Sequence, residues 1–468
     1  MAAKEADWGT GRTGGREATT GVIPGRVALS VGCPDLEPPK GWKWTSLSSV
    51  AQLESGHTPS RKHPEYWNGD IPWIGIKDAT ENHGRTLSDT YQHVSALGLE
   101  NSSARLLPAN TVCLSRTASV GFVVVMGHPM ATSQDFVNWV CGPNIEPHYL
   151  KYVLLAENEA LWRFASGTTH QTIYYPEAKA FHVCLPPLAE QKAIAAVLGA
   201  LDDKIELNRR MNATLEAMAR ALFQSWFVDF DPVRAKLDGR PPAALDPATA
   251  ALFPASFQDS EAGHIPKGWT VGKVSDVAAL NRGAVNPGDF PAEMFDHFSL
   301  PAFDSGRTPK VELGSAIMSN KLIVTPNSVL LSKLNPHIPR IWLPDLNSSR
   351  RSVCSTEFMV ACSKPSVSRE YLFSLFTSSA FASIYGTLVT GTTGSHQRIR
   401  PESVLDMKIV IPSAPLIRAF TDIAKPMFDC INRNTDQSRT LATLRDTLLP
   451  KLLSAELSVA DVEREVPA

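Results

Sequence analysis

Two sets of polar residues stand out for the chemistry their types permit. In the first half of the 468-residue chain they are Arg61, Lys62, His63, Asn68, Lys77, Arg85, Arg116, His170 and Gln171. In the second they are Arg282, Arg307, Lys333, Asn335, His337, Arg350, Arg351, Gln397, Arg398 and Arg400. All are read as lying in polar loops. A planar guanidinium grips a phosphate or a guanine edge through two parallel hydrogen bonds, and an Asn or Gln carboxamide does the same for adenine. The residue types suit contacts to bases and phosphates of a duplex, with a solvated surface position as the plain alternative for each.

Catalytic chemistry has no comparable foothold. An adenine or cytosine methyltransferase needs an NPPY or DPPY motif and a Gly-rich loop for its methyl donor, and neither occurs. The phosphate-cradling GxxxxGK[ST] is also missing. PDLEPPK at 34–40 imitates a nuclease motif, but its acids and Lys40 fall in a Pro-rich lead-in. Histidines are frequent in the first half without HExxH spacing, and the seven cysteines form no CxxC pair. No catalytic centre, cofactor site or metal site is expected in this chain. The formal charge of −2 counts only weakly against binding a polyanion, which needs one basic face rather than a basic chain. With no run of 18 apolar residues and no signal-peptide core at the start, the expected location is the cytoplasm and no membrane partner is expected.

The elements that would hold these residues are duplicated. PKGWKWTSLSSVAQLESG at 39–56 returns as PKGWTVGKVSDVAALNRG at 266–283. NTVCLSR at 110–116 answers NSVLLSK at 327–333, with apolar alternation that predicts strands. SQDFV at 133–137 answers STEFM at 355–359, and SGTTHQTI at 166–173 answers TGSHQRI at 393–399. One clear helix is expected in each copy, around residues 150–164 and 371–385.

Each copy is followed by a heptad seam, the pattern of a helix packed along another. The first runs through Ile194, Leu198, Leu201, Ile205, Leu215, Ala219, Leu222 and Trp226, with Asn208 and Asn212 at its centre. The second runs through Phe420, Ala424, Met427, Ile431, Leu441, Leu448 and Leu452, with polar Asn434 and Ser438 and with Arg445. Antiparallel pairing centre to centre sets Asn212 against Asn434 and Asn208 against Ser438 as one polar layer. Pro426 and Pro450 predict kinks in the second helix.

The reading is therefore α+β: two similar globular domains separated by two long antiparallel coiled-coil helices, an internal pseudo-two-fold duplication. Residues 1–36 are expected to be a disordered extension, 37–185 the first head, 186–231 a long spacer helix and 232–263 a linker. Residues 264–411 are the second head, 412–457 the second spacer helix and 458–468 a tail.

The PKGW openings, LPPLAEQKAI, LFQSWFVDFDPVRAK, FPASFQDSEAGHIPKGW and LRDTLLPKLLSAEL together resemble the specificity subunit of type I restriction-modification systems, in order, from about residue 37 to 457. That resemblance implies two target-recognition domains, each reading half of a split, asymmetric site on double-stranded DNA. It implies two modification subunits that use S-adenosylmethionine to methylate adenine, and two ATP- and Mg-dependent restriction subunits. The chain itself would be non-catalytic. Trp226, Phe227 and Phe230 become candidates for docking a modification subunit, with burial between the helices as the alternative for Trp226. In IPSAPLIRAF at 411–420, Leu416-Ile417 replace the Glu190-Gln191 pair of the first copy, which questions whether both copies dock alike. The competing readings are a two-headed protein adaptor and a nuclease or methyltransferase in its own right.

Overall fold

The computed structural model describes residues 21–117, 119–167, 171–346, 349–390 and 397–465. They form two compact units, one holding the residues up to Leu207 together with those from Gln437 onward, the other Asn208–Asp436. The composition is α+β, as the alternating and heptad patterns predict.

In the first unit a sheet runs in the order Ala51–Ser55, Phe136–Cys141, Val112–Ser115, Val123–Met126, Thr86–Leu87. Its central strands are apolar on both faces because both faces are covered. Val112, Leu114, Val123 and Val125 enter the main core, whereas Cys113, Val124 and Met126 enter a second cluster behind the sheet. Trp139, Tyr149, Tyr152 and Phe181 fill the main core, which takes in Ile194 and Leu198 of one long helix and Leu449, Leu452 and Leu453 of the other.

The second unit repeats the plan. Its sheet order is Ala278–Asn281, Phe358–Ser363, Ser328–Ser332, Ile341–Trp342, the same pairing as the first four strands of the other sheet, without a counterpart of Thr86–Leu87 among the described residues. Val329 and Leu331 face the main core while Leu330 faces a second cluster. The strands after the two PKGW motifs also match: Lys43–Ser46 pairs antiparallel with Phe181–Leu185, and Thr270–Lys273 with Lys408–Ile411. Trp42 and Trp269 of the motifs are both buried.

The long helices are Leu188–Phe227 and Ala414–Leu453, each about 60 Å at ~1.5 Å per residue. The second is one continuous helix through both Pro426 and Pro450. In the second unit the helices run antiparallel: Asn208 Nδ2 donates to the Asn434 carbonyl (3.3 Å), Asn212 Nδ2 to that of Ile431 (3.4 Å), and Asn434 Nδ2 to Asn212 Oδ1 (2.9 Å).

Several sequence-level expectations give way to longer-range contacts. Residues 21–36 are not a disordered extension: Ile23–Pro24 and Leu29–Val31 are strands, the latter paired with Phe181–Val183. Residues 1–20 of that extension lie outside the described residues. The stretch 232–263 carries helices Asp231–Leu237 and Pro247–Ala251 and the strand Phe257–Ser260, whose partner strand begins at Gly263. Short elements of this kind leave no sustained periodicity. The expected single helices are each split, into Pro147–Ala156 and Asn158–Phe164, and into Arg369–Thr377 and Ser379–Tyr385. Ser378 is extended and caps the helix that follows by accepting from the Phe381 N–H.

Candidate nucleic-acid interface

Arg116 and Lys333 occupy one and the same junction of the duplicated fold. Each follows a buried serine at the end of a central strand, Ser115 or Ser332. The Arg116 N–H donates to the Asp135 carbonyl (2.7 Å) and its carbonyl accepts from Ile173 N (2.8 Å). The Lys333 N–H donates to the Glu357 carbonyl (2.8 Å) and its carbonyl accepts from Ile399 N (3.0 Å). Isolated bridges alongside join Thr117 to Thr172 and Leu334 to Arg398. The segments SQDFV/STEFM and residues 171–173/397–399 are thus brought against the backbone of the cation in both heads, which sets Gln171 and Gln397 two residues from Ile173 and Ile399.

Side-chain surroundings differ between the heads. Arg116 Nε donates to the Gln134 carbonyl (3.1 Å), and its guanidinium lies over the Tyr175 ring at 4.8 Å. Gln171 Nε2 donates to the Gly167 carbonyl (2.9 Å). In the second head Arg398 pairs with Glu357 at 2.7 Å, and the Asn335 N–H donates to the Gln397 carbonyl (3.0 Å). His337 and Arg400 are exposed, the latter at the start of helix Pro401–Leu405. His170 lies outside the described residues.

A second cluster in the first head surrounds Arg61. Its guanidinium lies 3.7 Å from the Trp67 ring and donates to Gln92 Oε1 (2.7 Å). Lys62 is exposed, and His63 stacks on Tyr66 while contacting Glu65 at 3.0 Å. Asn68 turns the chain with a left-handed φ of 59°, a conformation Asn tolerates. Lys77 lies 3.8 Å from the Tyr91 ring. Arg85 is fixed through its backbone, its carbonyl accepting from Val125 N (3.0 Å). Gln92, Tyr91 and Tyr175 were not singled out by sequence because their cations lie 14 to 59 residues away along the chain.

Most of the remaining arginines are committed to carboxylates. Arg282 pairs with Glu402 (2.7 Å), Arg307 with Glu216 (3.2 Å) and Arg350 with Asp296 (2.7 Å). Arg351 makes a bidentate pair with Glu293 and covers the Phe290 ring. The Arg351 guanidinium holds the Glu293 carboxyl below the usual carboxylate range. Only Asp296 among these acids is buried; the Arg282–Glu402 pair is exposed at the surface, where such pairs contribute little.

The aromatic residues expected at a docking surface are turned inward. Trp226 and Phe227 are buried with Phe223, Tyr371 and Phe420, and Phe230 is half-buried against Phe257 and Trp269. Their ring contacts build the core of the second unit, so Trp226 and Phe227 do not form an exposed docking surface. The Glu190-Gln191 difference also has an internal meaning. Gln191 is buried, accepting from Glu146 N (2.9 Å) and donating to the Pro186 carbonyl (3.0 Å), whereas its counterpart Ile417 is buried in apolar packing. Among the described residues no group of three or more His, Cys, Asp or Glu is placed to hold a metal ion. No helix among them is long and apolar enough to cross a membrane.

Comparison with known proteins decides what the duplicated heads are similar to. Residues 39–217 match the family described as the type I restriction modification DNA specificity domain. The chain is 26% identical over 435 residues to the type I restriction enzyme MjaIX specificity subunit of Methanocaldococcus jannaschii, covering 91% of this chain and 95% of that one. Both matches are to specificity subunits of type I restriction-modification systems. A second specificity subunit, that of the HindI enzyme of Haemophilus influenzae, is 25% identical over 370 residues, 66% of this chain and 77% of that one. The crystal structure of a type I S subunit from M. genitalium shares the fold, with a TM-score of 0.52 at 13% identity over 90% of this chain and 98% of that one.

Proposed function

We propose that this chain is a type I restriction-modification specificity subunit that reads a bipartite, asymmetric site on double-stranded DNA, one half per head, and directs adenine methylation and ATP-dependent cleavage by partner subunits. In this reading two modification subunits bring S-adenosylmethionine, two restriction subunits bring ATP and Mg, and the chain contributes sequence choice alone, in the cytoplasm. The supporting observation is the duplication itself. The two heads keep the same strand pairing and the same cationic junction, while their polar loops carry different residues, as reading two different half-sites requires. The test is single-molecule methylation sequencing of DNA from cells carrying this gene with its modification partner, against a deletion of this gene alone. Loss of a split adenine-methylated motif on deletion supports the reading; a motif that persists without the gene overturns it.

A further inference from the structure

The internal duplication sorts the polar residues into those at equivalent positions in both heads and those found in one. What two half-sites share whatever their sequence is the sugar–phosphate backbone, so a cation present at one junction in both heads matches the group common to both half-sites. Arg116 and Lys333 are such a pair, with the same two backbone hydrogen bonds on either side. Their chemical difference fits the same assignment. Lysine is a point charge that serves a phosphate as well as arginine does, but it lacks the planar fork through which arginine reads a guanine. Neither is spent on a carboxylate: Arg116 is held by a carbonyl and a ring, and Lys333 makes no ion pair among the described residues. Arg282, Arg307, Arg350 and Arg351 all face acidic partners instead.

We infer that Arg116 and Lys333 are equivalent phosphate contacts, one per head, that seat the duplex and carry no base information. This rests on reading the chain as a DNA-specificity subunit. The test uses the complex with its modification subunits and a duplex bearing the motif mapped for the unaltered chain, with dissociation constants measured against salt. For Arg116→Gln and Lys333→Gln the log–log salt slope should fall by about one each, and by about two in the double variant. The methylated motif should stay the same, and Arg116→Lys should retain the slope. An unchanged slope in the Gln variants, or a motif relaxed at a single base, overturns the inference. If Arg116→Gln lowers the thermal midpoint, Lys333→Gln and Arg116→Lys carry the comparison. An unaltered complex that does not bind the duplex would instead remove the DNA reading itself.

Discussion

Asn434 donates its side-chain N–H to Asn212 Oδ1 across 2.9 Å, within the seam between the two long helices. Asn212 in turn donates to the Ile431 carbonyl and to Thr435 Oγ1. A one-turn slip would set these amides against apolar side chains, so the pair penalises wrong registers at some cost in stability. Asn212→Leu leaves the Asn434 amide without this acceptor and should destabilise the chain by about 1–3 kcal/mol. Asn212→Leu with Asn434→Leu should recover stability while loosening register. Thermal melting reads the first effect, and the spacing of the methylated half-sites reads the second. A double variant with unchanged spacing would show that the amide pair does not set register.

Glu157 ties the N-terminal strand to the first head. Its carboxylate accepts from the backbone N–H groups of Arg26, Val27, Ala28 and Leu29 at 2.5–3.2 Å. A Cβ on Gly25 would stand 2.0 Å from the Leu29 carbonyl oxygen and 2.8 Å from Glu157 Oε2, so only glycine fits that turn. Glu157→Ala should release residues 23–31, because each buried N–H left without a partner costs about 1–3 kcal/mol. Gly25→Ala should do so too, by obstruction. Hydrogen exchange across this segment should become fast in both variants and stay slow in Glu157→Asp only if the shorter carboxylate still reaches.

That carboxylate also shows where the sequence stops being legible. The PKGW repeat and the heptad seams are local patterns, and from them the duplicated heads, the long helices and the Asn212–Asn434 contact could all be read. Residues 21–36 show no sustained apolar periodicity, and their order depends on Glu157, 128 to 131 positions away from Leu29 and Arg26. Trp226 and Phe227 looked available for a partner because Tyr371 and Phe420, which cover them, come from distant segments. The counter-ions of Arg350 and Arg351 lie 54 and 58 residues upstream, which no local pattern encodes.

Asp202 should give the first unit an acid-sensitive joint. It accepts from Lys151 Nζ (2.8 Å), the Tyr152 hydroxyl (2.7 Å) and Arg445 (2.8 Å), joining one head helix and both long helices. Burial opposes its ionisation, but the Lys151 ammonium and these hydrogen bonds outweigh it and hold the carboxyl below the usual range. A folded pKa below the unfolded value means that the contribution is complete above about pH 4 and is lost as pH falls through the folded pKa. Asp202→Asn leaves Lys151 buried without its counter-charge and should cost about 3–5 kcal/mol at neutral pH. The gap between wild type and variant in chemical denaturation should narrow below about pH 4; a gap constant across that range would mean the charge is not responsible.

Exchange of heads with one of the similar specificity subunits offers the clearest separation of fold from reading. Replacing residues 37–185 should change one half of the methylated motif and leave the other intact, if each head reads alone. The packing adds a condition on where the graft begins. Strand Leu29–Val31 pairs with Phe181–Val183, and Ala28, Leu29 and Val31 are buried in the first head's core. A graft starting at residue 37 sets these side chains against a foreign sheet, where lost complementarity in a close-packed core costs about 1–3 kcal/mol. It should therefore melt lower than a graft starting at residue 21, which carries the strand and Gly25 with its own Glu157. Both grafts should switch the same half-site, since the strand belongs to the scaffold. If the motif follows residues 21–36 rather than 37–185, the N-terminal segment is itself part of the reading surface.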